Sequence, residues 1–160
     1  MNQPRRPWWK GERGEWWVVG QAALIAALAL APTAWSWAAP SRDLWRGLGG
    51  LLILVGLAYA GRALVELGPN LTALPRPRPS GTLVQTGIYA RVRHPIYGGL
   101  ITAAFGWSLW RGSGLHVGLA AALAVYIIAK ARREEAFLAA RFPEYEAYRA
   151  RTKALFPKVF

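Results

Sequence analysis

Residues 93–135 read RHPIYGGLITAAFGWSLWRGSGLHVGLAAALAVYIIAKARREE, and this stretch decides the fold. A charged Arg93-His94-Pro95 corner opens an apolar run over 96–110. The turn Arg111-Gly112-Ser113-Gly114 reverses the chain. A second apolar run starts near Leu115 and ends in the charged group Lys130, Arg132, Arg133, Glu134, Glu135. Two antiparallel apolar helices joined by so tight a turn return both charged ends to one face of a membrane. Polar and charged groups at such a mouth are expensive beside lipid and are retained for function.

Outward from this hairpin, the remaining chain adds two more apolar stretches. One covers 16–37, with Trp16 and Trp17 at one edge and Trp35 and Trp37 at the other. Paired tryptophans about 27 Å apart along a helix match the two interfaces of a bilayer core. Pro32 is expected to kink this span near its far end. The run is too long for a signal-peptide core, so we read a retained helix. The other stretch covers 44–67 and carries Gly49, Gly50, Gly56, Ala60 and Gly61, small residues that let a second helix approach closely. Gly98, Thr102 and Gly106 give the third span a matching face. Arg62 and Glu66 stand four apart and can pair.

The expectation is an all-α integral membrane fold of about four transmembrane helices, a single domain over 1–160. Two spans lie in 1–67. The cytosolic loop, hairpin and C-terminal helix lie in 68–160 and build the site.

Composition agrees. The 160 residues are 54% hydrophobic, with nine tryptophans, no cysteine and a net charge of +12. Lack of cysteine excludes disulfides and thiolate chemistry. The basic residues cluster before 16, over 76–93 and after 130, while the other two connections hold only Arg42, Arg46 and Arg111. With four spans these three clusters share one face, and the positive-inside rule makes it cytoplasmic, with both termini there. Anionic lipid is therefore the partner of the positive charge, and nucleic acid is not. The compact Ala/Arg-rich chain suits a bacterial inner membrane.

The loop over 68–94 is long enough to be functional. Pro75-Arg76-Pro77-Arg78-Pro79 predicts extended polyproline II. After Phe142-Pro143, a short helix from Glu144 to about Lys153 either lies on the membrane or folds over the bundle mouth.

Pro95 forces His94 out of helical geometry and starts the third helix, leaving backbone N–H groups that suit a carboxylate. Arg93 and His94 add donors. Glu134 and Glu135 point about 100° apart, so they have different tasks: one accepts from an ammonium or ribose, the other pairs with Arg93 or another arginine. A site with both a carboxylate acceptor and a carboxylate-binding corner fits an amino-acid-like ligand. A cap and a solvated charge run are the plainer readings of the same residues. Tyr89 and Tyr97 stack in the pocket or belong to the aromatic belt. Arg149 and Arg151 clamp an anionic acceptor or contact lipid phosphate. Asn70 caps the loop. His116 falls at the opposite turn from His94, so the two do not share a metal. There is no Walker motif and no GxGxxG after a strand.

At these residues the chain resembles the isoprenylcysteine carboxyl methyltransferase family and, more broadly, the related phospholipid N-methyltransferases. The shared pattern, Arg-His-Pro-x-Tyr-x-Gly, an apolar hairpin, then Glu-Glu, is met by Arg93, His94, Pro95, Tyr97, Gly99, Glu134 and Glu135. The lead-in over 83–89 and the tail from Phe142-Pro143 through Arg151-Thr152 to Phe156-Pro157 also match.

The resemblance implies S-adenosylmethionine bound at the cytosolic mouth by Arg93, His94, Pro95, Tyr97, Gly99, Tyr89, Glu134 and Glu135, with S-adenosylhomocysteine as product. It implies a lipophilic acceptor entering sideways from the bilayer. Methyl transfer to an isoprenylcysteine-like carboxylate is the first expectation, with Arg151 and Glu135 as catalytic residues. N-methylation of a phosphatidylethanolamine-type lipid, or methylation of a thiol or hydrophobic metabolite, is the alternative. A membrane scaffold or channel without enzymatic activity is the reading from another class.

Overall fold

The structure, a computed structural model, describes residues 13–37 and 41–157. Arg5, Arg6, Lys10 and Lys158, which contribute to the charge argument, lie outside the described residues. The described chain is helical: α1 (Glu15–Leu30), α2 (Arg42–Leu67), α3 (Pro95–Arg111), α4 (Gly114–Arg141) and α5 (Tyr145–Arg151), with short 3-10 turns at Gly68–Asn70 and Gly87–Ala90. Among the described residues the only β contacts are isolated bridges.

Two helices, α2 and α4, are long and apolar enough to cross a membrane. At 1.5 Å per residue they measure about 39 and 42 Å, while α1 and α3 reach about 24 and 25 Å. Many apolar side chains on these rods face outward. Leu48, Leu51, Val55 and Leu57 on α2, Val19 on α1 and Val125 on α4 are all exposed. A helix that is apolar on its outer as well as its inner face belongs in lipid. The fold is all-α and integral to the membrane.

The first apolar span differs from its expected shape. The helix does not run on to Trp37 with a kink; it ends at Leu30. Pro32 drives Ala31 into the extended region (φ −58°, ψ 143°), and the helix stops there. The chain continues without helix along 31–37 and is held at the hairpin turn. Ser113 Oγ donates to the Ala34 carbonyl at 2.8 Å and accepts the Ala34 N–H at 3.2 Å. The Gly114 N–H reaches the Trp35 carbonyl at 3.1 Å. At the other end Gly14 packs on Pro75, and Arg76 N–H bonds Arg13 O. The first span therefore runs the height of the bundle from the 68–94 loop to the α3–α4 turn.

Glycine fixes which rods touch most closely. A Cβ on Gly56 would meet the Gly99 carbonyl at 2.5 Å, and one on Gly49 would meet the Gly106 carbonyl at 2.6 Å. The α2 and α3 backbones therefore lie in direct contact, as small residues permit in membranes. Gly98, expected on this face, instead abuts the Leu155 carbonyl and helps seat the tail. On the other side α1 docks on α4. Tyr126 Oη sits under Gly20 and donates to the Trp16 and Trp17 carbonyls. Trp107 Nε1 donates to the Leu28 carbonyl at 3.1 Å.

The proline-rich loop is bent over 73–76 rather than uniformly extended. Pro75 is fully buried against Gly14, and a straight run would lift it from that seat. Asn70 Oδ1 accepts the Thr82 N–H at 2.7 Å, so Asn70 ties the loop as expected. Arg62 and Glu66 pair on α2, and Glu66 also accepts the Ile88 N–H at 2.6 Å.

Candidate active site

Pro95 takes the first position of α3, with His94 as its non-helical cap (φ −127°, ψ 57°). The segment just before it pairs with the tail. Arg93 and His94 N–H groups donate to the Lys153 and Ala154 carbonyls at 2.9 and 2.8 Å, and Lys153 N–H donates back to Arg91 O at 3.0 Å. Val92 and Lys153 form a parallel bridge. Thus α5 and the tail fold over the bundle mouth rather than lying on the membrane. Tyr145, Tyr148 and Leu155 are buried there. Tyr148 Oη donates to the Tyr89 carbonyl at 2.8 Å. Burial pushes the Tyr148 hydroxyl up to about 12 and raises those of Tyr89 and Tyr145 well above the ordinary tyrosine range.

The twin acids divide their work. Glu135, 9% exposed, turns into protein. Its Oε1 accepts from Arg93 Nε at 2.7 Å and from His94 Nε2 at 3.1 Å, and its Oε2 lies 3.7 Å from Arg149 Nε. Arg93 then spends Nη1 on the Thr152 carbonyl at 2.6 Å and the Arg149 carbonyl at 3.2 Å. One carboxylate thereby locks α3, α4 and α5 together. Glu134 turns the other way. It accepts from Tyr97 Oη at 2.9 Å and lies 4.0 Å from His94 Nδ1. The His94 and Tyr97 rings stack at 5.5 Å with 14° between planes.

Beside Glu134 lies a cavity of about 320 Å³, within the range of small-molecule sites. Its polar wall holds Tyr89, Arg93, His94, Tyr97, Lys130 and Glu134. Its apolar wall comes from Val18, Ala22 and Ile25 on α1 and from Leu71, Ala73, Pro77, Leu83 and Val84 of the loop, which also brings Asn70, Arg78 and Thr82 to the rim. The sequence-level residues therefore separate. Arg93, His94, Tyr97, Tyr89 and Glu134 converge on the cavity. Pro95 and Glu135 sit behind its wall as supports. Gly99 packs against Gly56 and Ala60 of α2, away from the cavity. Arg151 is exposed and lies outside the lining: it hydrogen-bonds Gln85 and covers the Tyr148 ring at 5.8 Å.

Sequence reasoning passed over Lys130 and Gln21. The place of Lys130 in a basic run reads as an orienting charge, yet Lys130 is 2% exposed and donates to Gln21 Oε1 at 2.7 Å. A polar Gln21 inside an apolar span was the available signal. His116 is also buried. Its Nδ1 lies 2.9 Å from Ser113 Oγ, which makes it part of the clip at the far turn.

Comparison with known proteins places this arrangement. Residues 44–145 match the model of the phospholipid methyltransferase family. The chain belongs to that family. Two curated relatives are the cobalt-zinc-cadmium resistance protein CzcN of Cupriavidus metallidurans, 34% identical over 117 residues, and the nickel-cobalt-cadmium resistance protein NccN of Alcaligenes xylosoxydans xylosoxydans, 33% identical over 148 residues. These alignments cover 72% and 91% of this chain, but 54% and 64% of the relatives. A solved structure of a eukaryotic intramembrane Ras methyltransferase, the isoprenylcysteine carboxyl methyltransferase, superposes with a TM-score of 0.68 at 18% identity. That match covers 99% of this chain and 55% of that enzyme. The likeness is one of fold, and the present chain spans about half of the larger protein.

Does the site fit S-adenosylmethionine? The cavity offers a carboxylate, Glu134, that its own protein only partly occupies, with its side chain still 25% exposed. Tyr145 lines the same cavity and, among the described residues, its buried hydroxyl has no hydrogen-bond partner. A buried polar group left unpaired is costly, so this hydroxyl suits a polar ligand group. Aromatic rings and apolar side chains complete a surface suited to a nucleoside. The residues present fit the cofactor.

Proposed function

We propose that this protein transfers a methyl group from S-adenosylmethionine to a lipophilic acceptor reached from the bilayer, with an isoprenylcysteine-like carboxylate as the first choice of acceptor. The observation that carries the proposal is the division of the twin acids. Glu135 is consumed by the scaffold, while Glu134 is presented to an amphipathic cavity beside Tyr97 and His94.

The cofactor supplies a methyl group on a sulfonium, which leaves as a neutral thioether when the acceptor's lone pair forms the new bond. The chain's own residues do the rest by position and by exclusion of water. Glu134 accepts hydrogen bonds from a ribose or an ammonium. Tyr97 fixes the Glu134 rotamer through its hydroxyl. His94, held by Glu135, stacks on Tyr97 and stiffens it. Tyr145, Tyr148 and the tail close the aqueous side. An ionised carboxylate needs no general base, which favours O-methylation at a site where Glu135 is held by Arg93 and His94 and Glu134 faces the cofactor.

The family description supports a second reading, N-methylation of an aminophospholipid. Transfer of labelled methyl from S-adenosylmethionine to prenylcysteines, aminophospholipids and thiols tests both. A base-labile methyl ester marks the first reading and a base-stable N-methyl product the second. No transfer to any acceptor, together with no thermal stabilisation by S-adenosylhomocysteine, refutes the enzymatic reading. The orientation that accompanies the proposal, with the mouth and both termini cytoplasmic in a bacterial inner membrane, is supported by the basic clusters and is tested by accessibility tagging.

A further inference from the structure

Lys130 is a buried cation whose donors are mostly unspent. It sits on α4 one turn before Glu134 and is 2% exposed. An ammonium carries three N–H donors. Among the described residues, the hydrogen-bond partner of Lys130 is the neutral amide oxygen of Gln21, at 2.7 Å. The face of Tyr97, 5.4 Å away, gives a further weak contact. Glu134 does not come within ion-pair distance; it turns its carboxylate to Tyr97 and His94. Glu134, one turn on, supplies a nearby negative charge without touching it, and a buried ammonium with no directly bonded counter-ion is disfavoured unless function retains it. Lys130 lines the same cavity as the apolar side chains of Val18, Ala22 and Ile25 on α1, the helix its bond to Gln21 joins it to. A ligand that meets both must have an apolar chain and an anionic head.

We propose that Lys130, steadied by Gln21, is the receptor for the anionic head of the acceptor, a carboxylate or phosphate on an apolar chain. This rests on the methyl-transfer reading and deepens it. It moves the acceptor-orienting role from Arg151, which lies outside the cavity, to Lys130. It also makes Lys130 a selectivity device, because a buried ammonium repels a protonated amine head and holds an anionic one.

The test is direct binding to the purified full chain in neutral detergent, followed by calorimetry. The probes are S-farnesylcysteine with a free carboxylate, the same molecule as its primary amide, and farnesyl phosphate. S-adenosylhomocysteine is titrated in parallel. The wild-type protein should bind the carboxylate or the phosphate at least about tenfold more tightly than the amide, as expected for a charge-assisted contact worth more than about 1.4 kcal/mol. The ranking of the two anions names the head group. Lys130→Met should erase the preference over the amide, Lys130→Arg should restore part of it, and S-adenosylhomocysteine affinity should fall by a smaller factor than the loss of acceptor preference.

A preference kept in Lys130→Met overturns the proposal. So does an equal loss of S-adenosylhomocysteine affinity, which would assign Lys130 to the cofactor. Equal binding of acid and amide by the wild type overturns it without any variant. If S-adenosylhomocysteine fails to bind while the acid preference depends on Lys130, the methyl-transfer reading falls and the anion receptor stands.

Discussion

Exchanging the two adjacent glutamates for alanine should separate stability from ligand binding. The Arg93 and Glu135 side chains are each 11% exposed, and Glu135 holds both Arg93 and His94. Removing one partner of a buried pair costs about 3–5 kcal/mol. Arg93 keeps its bonds to the Thr152 and Arg149 carbonyls, so we take the low end, about 3 kcal/mol for Glu135→Ala. At about 2–4 °C per kcal/mol for a chain of this size, the unfolding midpoint should fall by about 6–12 °C. Glu134→Ala loses one hydroxyl–carboxylate bond at a 25%-exposed side chain, about 1.5 kcal/mol, so its midpoint should fall by only about 3–6 °C. The assay is thermal unfolding in one detergent, with limited proteolysis of the tail as a second readout. Glu135→Ala should expose the segment after Arg151 to cleavage, and Glu134→Ala should leave it protected. Equal midpoints, or a tail released by Glu134→Ala, would refute the division of labour.

Other outcomes follow from the same geometry. Gly56→Ala forces a Cβ to within 2.5 Å of the Gly99 carbonyl, so it should cost about 1–3 kcal/mol, read as a lowered midpoint, while Gly61→Ala meets open space and should not. Tyr148 is neutral in the folded protein up to about 12, whereas an unfolded tyrosine ionises near 10. The folded state binds the extra proton between these values, so stability is complete below pH 10 and is lost as pH rises towards 12. Tail proteolysis followed across that window checks it, and Tyr148→Phe, which cannot ionise, should weaken the response. Ser113→Ala removes both bonds to Ala34 and the contact with His116, so it should loosen the 31–37 segment. Hydrogen exchange at Ala34 and Gly114 reports that change.

The hairpin was legible because its signals are local. A Gly-Ser-Gly turn between two apolar runs has few alternatives, and Pro95 fixes the start of α3. The partition of Glu134 and Glu135 was legible as a principle, since neighbours on a helix face different ways, but which acid turned inward depends on where α5 and the tail settle. That docking runs through backbone bonds from Arg93 and His94 to Lys153 and Ala154, and backbone bonds leave little trace in side-chain identity. The early stop of α1 is not legible in the sequence: Pro32 predicts a kink, yet nothing beyond it packs as a helix, and Ser113 captures the chain instead. Lys130 was hidden for the opposite reason. It sits in a run of basic residues, and only the arrival of Gln21 from α1 turns that one lysine into the cavity wall.

The most direct test of the central claim is calorimetric titration of S-adenosylhomocysteine into the purified wild-type protein and its Glu134→Ala variant, both with a cooperative unfolding transition. The account predicts saturable one-to-one binding by the wild type and loss of most of that affinity in Glu134→Ala. Undiminished affinity in the variant, or no heat of binding in the wild type, would contradict it.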